Sequence, residues 1–326
     1  MKLKNGIKIA ILGARGLIGK KFLNILEENN IEAKIDCFGT TDNTQINYRE
    51  ETLNIKNIEE FEPSNYDLIL SAVDADVALE LKSKIKESNV LWIDKSSAMR
   101  MHDDVPLIVP EVNMDDIKGS KIIASPNCIA IPLAIFLHAI RSLNIHNVIC
   151  STYQSVSGAG KKAMDAFFRE LKDTLMRSVK TGQLFEHPMA CNVIPAIGAI
   201  DESGFCDEEI KIKEELKKIL KVDYPINVTA MRVPVLVGHL ISLTFEVTKH
   251  VSMDHIKKLL EVGGISYTEG LVTPVIASSE DDIFASRLRY NGEHDKVHSY
   301  SVVIVCDNLR KGGALNALEI ADKLYN

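Results

Sequence analysis

Ile7 to Asn29 reads IKIAILGARGLIGKKFLNILEEN, and this stretch decides the fold. Ile7 to Leu12 is a short apolar run, the pattern of a strand buried on both faces of a parallel sheet. From Gly16 to Asn29, the residues Leu17, Ile18, Phe22, Ile25 and Leu26 recur at the spacing of one helical face. Between strand and helix lies GARGLIG, with Gly13, Gly16 and Gly19. Small residues there let the backbone turn tightly and approach a pyrophosphate, whose charge the N–H groups at the helix start favour. The spacing is GxxGxxG rather than GxGxxG, and a glycine trio alone is also what a packing turn requires. Its position after a first strand is what points to a dinucleotide.

Outward from this unit the same alternation continues. Ile35 to Phe38 reads as a second strand, followed by Gly39-Thr40-Thr41 with no Asp or Glu to bond a ribose 2′-OH. Arg15 in the turn and the hydroxyls of Thr40 and Thr41 suit a 2′-phosphate instead, which favours NADP over NAD; the bland alternative is a solvated Arg15. Apolar runs recur at Leu68 to Ala72, Leu91 to Ile93, Leu107 to Val109 and Ile122 to Ala124, with a helix from Asp74 or Ala75 to Lys86. The predicted class is therefore α/β, a Rossmann-type doubly wound parallel sheet, for residues 1–127. After Cys128 a helix (Ile129 to Arg141) leads into strand-like segments at Val148 to Val156, Val228 to Val233 and Ile241 to Thr248. Helices are expected at Lys161 to Val179, Asp207 to Leu220 and Met253 to Leu260. This is the pattern of an α+β substrate domain over 128–305. A strand at Val302 to Val305 and a helix at Ala314 to Leu324 place residues 306–326 back with the first domain.

Composition bounds the function classes. The chain has 326 residues, 25% charged and 46% hydrophobic, which fits two folded domains and excludes a disordered protein. No run approaches the roughly 20 apolar residues of a membrane span. Lys2, Lys4 and Lys8 flank a short strand-like start rather than a secretory apolar block, so a cytoplasmic protein is expected. Net charge −7 and a pI near 5.8 oppose a nucleic-acid surface while leaving room for local basic pockets that hold a small anion. The six cysteines, Cys37, Cys128, Cys150, Cys191, Cys206 and Cys306, show neither a CxxC pair nor zinc spacing, so no metal is expected.

Four further motifs carry chemistry. SPNC, Ser125 to Cys128, stands between an apolar strand and a helix. A cysteine at a helix N-terminus gains thiolate character, and Pro126-Asn127 makes the turn abrupt, so Cys128 is placed as a nucleophile. Cys37, Cys150 and Cys306 lie in apolar strand-like contexts and read as inert core. In RVPVLVGH, Arg232 to His239, strand alternation sends Arg232 and Pro234 to one face, and Gly238 lets His239 turn into a cleft. There the histidine exchanges a proton and the arginine grips a carboxylate bidentately; spacing alone equally accommodates a structural histidine and a surface ion pair. DEEIK places Glu208 and Lys211 on one helical face, where one meets an ammonium and the other a phosphate, or both simply pair in water. DNLRKGGALNA, Asp307 to Ala317, opens the terminal helix with small residues that pack against cofactor or sheet, or serves only as a cap.

GARGLIG, SSAMR (Ser96 to Arg100), VPLIVPEVN (Val105 to Asn113), SPNC, TYQSVSGAGKKAMD (Thr152 to Asp165), NVIP (Asn192 to Pro195), DEEIK, RVPVLVGH and DNLRKGGALNA occur in one order over nearly the whole chain. With these blocks the chain resembles the aspartate-semialdehyde dehydrogenases. The resemblance implies NADP-dependent reductive dephosphorylation of L-4-aspartyl phosphate to L-aspartate 4-semialdehyde through a cysteine thioester. The product would serve lysine, diaminopimelate, methionine and threonine biosynthesis. It further implies Cys128 as nucleophile, His239 as acid/base and Gln154 as orienter of the acyl group. By the same matching Arg232 holds the substrate carboxylate, Glu208 its amino group, and Arg100 and Lys211 the phosphate. Gly13, Arg15, Gly16, Leu17, Ile18, Thr40, Thr41, Ser157, Gly158 and Asn308 would line the NADP site. A homodimer, in some members paired into tetramers, is also implied, with no nucleic acid or membrane as partner.

The chain departs from that family's pattern at Ser71-Ala72-Val73, at Lys95 and Ser125 where asparagines are usual, at Ile129-Ala130, and at Ile241 where a glutamate is common. Two competing readings remain at this level. An N-acetyl-glutamyl-phosphate reductase would share fold and thioester route, but an acetylated amine needs no partner such as Glu208. A non-catalytic cofactor-binding protein would have no need of Cys128, Gln154, Arg232 and His239 together.

Overall fold

The computed structural model describes residues 1–40, 44–176 and 187–325. These fall into two compact units, Met1–Asn127 with Gly313–Asn326, and Cys128–Gly312. The chain returns to the first unit at Gly313, whereas the sequence pattern put the return at 306.

In the first unit, β1 (Ile7–Leu12) is followed by α1 (Leu17–Glu28), β2 (Ala33–Gly39), β3 (Thr44–Tyr48), β4 (Glu51–Asn57), β5 (Leu68–Ser71), α2 (Ala75–Ser88), β6 (Leu91–Asp94) and β7 (Ile122–Ala124). The sheet order is β3-β4-β2-β1-β5-β6-β7, parallel throughout except for the β3–β4 pair. β1 thus lies between β2 and β5, at the reversal of strand order where doubly wound folds open a crevice beyond the strand ends. Ile9, Ala10, Ile11 and Leu12 are fully buried, as a strand covered on both faces requires. α1 packs Phe22, Leu23, Ile25 and Leu26 inward, each buried side chain contributing about 1.5–3 kcal/mol of apolar transfer.

Leu107 to Val109 is not a strand. It makes one bridge, Leu107 to Ala124, because Pro106 and Pro110 on either side lack the N–H a ladder needs. The edge hairpin of β3 and β4 has no counterpart in the sequence reading, since its residues TQINY and ETLNIKN are mostly polar.

The second unit contains α3 (Ala130–Ala139), β8 (Ile145–Gln154), α4 (Gly160–Leu175), α5 (Asp207–Leu220), β9 (Ile226–Arg232), β10 (His239–Val247), α6 (Met253–Val262), β11 (Ile265–Thr268), α7 (Pro274–Ala277), β12 (Ile283–His294) and β13 (Val297–Cys306). The helix expected over Lys161 to Val179 is described to Leu175, and positions 177–179 lie outside the described residues. The sheet order is β11-β12-β13-β10-β8-β9. Burial alternates along β10, with His239, Ile241, Leu243, Phe245 and Val247 covered and the intervening residues partly exposed. Phe136 of α3 meets Phe245 edge-on, ring centroids 5.9 Å apart, so the helices cover that face.

β8 runs parallel to β9 and antiparallel to β10, while β10 is antiparallel to β13. The C-terminal ends of β8, β9 and β13 and the start of β10 therefore meet at one end of the sheet. Two expectations fail there. β8 stops at Gln154, and Val156–Ala159 forms a 3-10 turn instead of more strand. β9 stops at Arg232, so alternation does not run on through Pro234, which has no N–H to donate. The last helix, α8 (Leu315–Tyr325), belongs to the first unit, where Leu315, Leu318, Ile320 and Ala321 join its core. No helix of the described residues is long and apolar enough to cross a membrane.

Candidate active site

The sheet end of the second unit gathers the residues that the motifs single out. Gln154 and Arg232 are register partners as the last residues of β8 and β9, and both are buried. His239 opens β10 on the covered face, so it begins a strand rather than hanging in a turn. Gly238 before it has φ +90°, and a Cβ there would stand 2.7 Å from the Pro274 carbonyl oxygen, so the approach to His239 requires glycine.

Cys128 precedes α3, and its Sγ lies 3.2 Å from His239 Nε2. Gly312 packs on this cysteine: a Cβ at Gly312 would be 3.0 Å from the Cys128 carbonyl oxygen and 3.3 Å from its Cβ. Gly312 of DNLRKGGALNA thus packs against the turn at Cys128. Burial pushes the thiols of Cys37 and Cys150 up to about 12, which leaves them as inert core.

Glu208 sits in the first turn of α5, where Gln154 Nε2 donates to its Oε1 at 3.0 Å. Its neighbour Glu209 locks that turn, accepting from Cys206 N at 3.0 Å and from Ala230 N at 2.9 Å. Arg232 donates from Nη1 to the Ser155 carbonyl at 2.9 Å. Burial lowers the arginine's pKa, and the charges of Glu208 and Cys128 oppose that shift. Arg232, Glu208, Gln154, His239 and Cys128 thereby form one neighbourhood that offers a cation, a carboxylate, an amide, an imidazole and a thiol. Beside Arg232 opens a cavity of about 550 Å³, lined also by Ala159, His187, Ile194, Ile197 and Ile200. Lys211 stands exposed one turn along α5, outside this hydrogen-bonded cluster.

Asn308 and Ser157, read as cofactor contacts, are engaged with the protein. Asn308 Oδ1 accepts from Gly238 N at 2.8 Å, Ser155 Oγ at 3.1 Å and Ser157 Oγ at 3.2 Å, while its Nδ2 donates to Ser157 Oγ at 3.0 Å. Ser155 was missed in the sequence. Its main-chain N–H donates to His239 Nδ1 at 3.0 Å, and only its place between Gln154 and Ser157 hinted at it. The His239 ring is fully buried; that burial first, and the Arg232 charge second, hold its pKa down to about 3 against the pull of the Gly238 carbonyl.

In the first unit, GARGLIG forms the turn from β1 to α1. Gly13 has φ +79°, and a Cβ on it would lie 2.5 Å from the Ala72 carbonyl oxygen; a Cβ on Gly19 would collide with Gly13 O and Ala14 Cα. α1 starts without a side-chain cap at Gly16 and without an acidic residue in its first turn, so its N–H groups and dipole suit an anion. Arg15 is exposed, Leu17 and Ile18 are half-buried in the first helical turn, and Thr40 is exposed just past β2. Thr41 lies outside the described residues. Arg100 is buried and donates to the Lys95 carbonyl at 2.8 Å.

Two departures from the family pattern have structural tasks in this unit. Lys95 Nζ donates to the Pro126 carbonyl, and Ser125 Oγ accepts from Asn316 Nδ2 at 2.9 Å, so both hold the turn before the cysteine.

Comparison with known proteins gives a consistent result. Residues 8–120 match the family model of the semialdehyde dehydrogenase NAD binding domain, and residues 137–311 match that of the semialdehyde dehydrogenase dimerisation domain. The chain is 36% identical over 329 residues to the aspartate-semialdehyde dehydrogenase of Rickettsia bellii, covering 97% of each. It is 33% identical to that of Aquifex aeolicus, covering 98% of each. Among solved structures, aspartate semialdehyde dehydrogenase II of Vibrio cholerae superposes with a TM-score of 0.92 at 29% identity over 98% of both chains. A second structure of that enzyme is a complex with ASA.

Proposed function

The chain belongs to the aspartate-semialdehyde dehydrogenase family, and on that premise we propose that it converts L-4-aspartyl phosphate into L-aspartate 4-semialdehyde through a thioester on Cys128. The observation that carries this reading is the 3.2 Å approach of Cys128 Sγ to His239 Nε2, beside Arg232 and the Gln154–Glu208 pair. A thiol with an imidazole partner is the equipment of covalent acyl transfer.

Each residue has a task in that chemistry. The Cys128 thiolate attacks the acyl carbon and phosphate departs with the electron pair of the broken C–O bond, its charge neutralised by Arg100 and Lys211. Arg232 holds the α-carboxylate by two parallel hydrogen bonds, and Glu208 meets the α-ammonium. Gln154, held by Glu208, orients the acyl group. His239 presents Nε2 to the sulfur and acts as the acid/base that moves the proton between the substrate oxygen and sulfur. In the reverse direction inorganic phosphate attacks the thioester.

The first unit's turn fits a dinucleotide, since no Cβ is tolerated at Gly13 or Gly19 and α1 begins with uncapped N–H groups. Gly13, Arg15, Gly16, Leu17, Ile18, Thr40 and Thr41 would hold it, with Ser157, Gly158 and Asn308 toward the nicotinamide. The absence of an acid after β2, together with Arg15, favours NADP over NAD. A bound reduced nicotinamide supplies hydride for the thioester carbon. The enzyme works as a cytoplasmic homodimer through the second unit and provides semialdehyde for lysine, diaminopimelate, methionine and threonine synthesis.

The deciding experiment is phosphate-dependent reduction of NADP by purified protein with L-aspartate 4-semialdehyde, run beside NAD and beside N-acetyl-glutamate semialdehyde. Turnover that requires phosphate, prefers NADP and ignores the acetylated aldehyde supports the whole reading. Folded, NADP-binding protein with no turnover of either aldehyde refutes it in favour of a binding protein.

A further inference from the structure

The two charges that grip the amino-acid end of the substrate in the reading above stand on different elements. Glu208 lies in the first turn of α5, and Arg232 is the last residue of β9. The α-ammonium and α-carboxylate they meet are borne on one carbon, so the grip works only at one separation of helix and strand. Apolar packing is non-directional and does not set that separation finely.

Glu209 supplies a directional link. Its two carboxylate oxygens take different partners: Oε2 accepts from Cys206 N at 3.0 Å, and Oε1 accepts from Ala230 N at 2.9 Å. The first bond closes the start of α5, where Cys206 is the N-cap and Glu209 stands three residues on. The second reaches β9, the edge strand of the second sheet. Ala230 is the register partner of Thr152 on β8, and two residues on Arg232 is the partner of Gln154. Residues two apart on a strand send their N–H groups to the same side. That of Arg232 meets the Ile194 carbonyl at 2.9 Å, and that of Ala230 meets Glu209. Ala230 is fully buried, so its N–H requires such an acceptor.

The bridge therefore runs from the residue beside Glu208 to the residue two before Arg232. Other bonds at the helix start go elsewhere: Asp207 N and Glu208 N donate to the carbonyls of Ala199 at 2.9 Å and Ile197 at 3.1 Å, which fastens α5 to the segment before it. A carboxylate suits both ends of the bridge because both partners are N–H donors. Glutamine offers one acceptor oxygen and turns its NH₂ against the other donor.

We propose that Glu209 is a positioning residue for substrate recognition: it sets the separation of Glu208 and Arg232, and with it the selection of an aldehyde that carries a free ammonium beside its carboxylate. The proposal rests on the substrate reading above and names the residue that makes its two-charge grip selective. Glu209 itself touches neither substrate nor cofactor in this assignment.

The test compares L-aspartate 4-semialdehyde with succinate semialdehyde, which keeps the carboxylate and lacks the ammonium, on the full chain with NADP and phosphate. The first is followed as kcat/KM and the second as its inhibition constant against the first. A misplacement of about 1 Å can cost 10²-fold, so Glu209→Gln should lower kcat/KM for L-aspartate 4-semialdehyde by at least about tenfold. Inhibition by succinate semialdehyde should stay within about twofold, because the grip of Arg232 on a carboxylate needs no partner at Glu208. Asp207→Asn weakens the same helix start at its bond from Ala199 N, 3.1 Å long, and leaves the bridge in place, so it should keep the wild-type contrast between the two aldehydes.

Equal weakening of both aldehydes in Glu209→Gln, undiminished kcat/KM, or the same loss of contrast in Asp207→Asn overturns the proposal while the substrate reading stands. Wild-type protein that turns over no L-aspartate 4-semialdehyde overturns the reading and the proposal with it.

Discussion

Gly158 stands so close to Arg232 that position 158 tolerates no side chain: a Cβ there would lie 2.8 Å from Arg232 Nη1 and 3.3 Å from His239 Cε1. Arg232 cannot simply swing away, because it is buried and bonded to the Ser155 carbonyl at 2.9 Å. Gly158→Ala should therefore displace the guanidinium and the ring together, at about 1–3 kcal/mol of overpacking. The expected outcome is at least a tenfold fall in kcat/KM with the circular dichroism spectrum unchanged. Undiminished kcat/KM would show that the two groups need not be where they stand.

Cys128→Ser should leave NADP binding nearly intact and remove most turnover, because an alcohol is a far weaker nucleophile near neutrality. Fluorescence titration with NADP and a steady-state assay separate the two effects. Near-normal activity of the serine variant would sink the thioester route.

Arg232→Lys keeps the charge and loses the planar fork. Substrate use should weaken by about tenfold or more, while NADP affinity stays within about twofold, since each good charged hydrogen bond contributes about 1.5–3 kcal/mol. Unchanged kcat and KM for the semialdehyde would remove Arg232 from the substrate site.

The depressed pKa of His239, about 3 against an ordinary 6.5, makes stability depend on pH. Below pH 6.5 the unfolded chain takes up a proton at this residue and the native protein does not, so stability is full above that pH and falls progressively toward pH 3. The wild type should lose stability relative to His239→Gln across this window, by a few kcal/mol on the order expected for such a shift. Urea unfolding of both proteins at a series of pH values checks it; parallel stability curves would mean the ring is free to protonate in the native state.

The stretch IKIAILGARGLIGKK by itself determined the strand–turn–helix that opens the first unit. Ile9 to Leu12 carry no polar alternation and so suit a strand covered on both faces, and the glycines after them suit a tight turn into a helix. The structure adds the reason glycine is needed, since Gly13 abuts Ala72 and Gly19 abuts Gly13 and Ala14. Asp207–Leu220 was equally legible, its apolar spacing being local. The β3–β4 hairpin and β12 were not: half-exposed, polar strands at or near a sheet edge carry little of the alternation that marks a buried one. Leu107 to Val109 shows the opposite failure, where apolar character is present but flanking prolines withhold the ladder.

For the candidate site, the sequence determined which groups are available: one thiol at a sharp turn, an arginine and a histidine in one motif, an acid on a helix, and no cluster at metal spacing. What they do to one another was left to the tertiary structure. The meeting of Cys128 with His239 depends on β10 starting where β8, β9 and β13 end. That antiparallel register closes over more than a hundred residues of chain, a separation to which local periodicity is blind. The aim of His239 depends on the main-chain N–H of Ser155, which donates to its Nδ1 at 3.0 Å, and its low pKa on the burial of the ring and the charge of Arg232. Hydrogen bonds and desolvation are properties of neighbours in space, so the sequence could name the reactive side chains, while only the fold sets their protonation and aim.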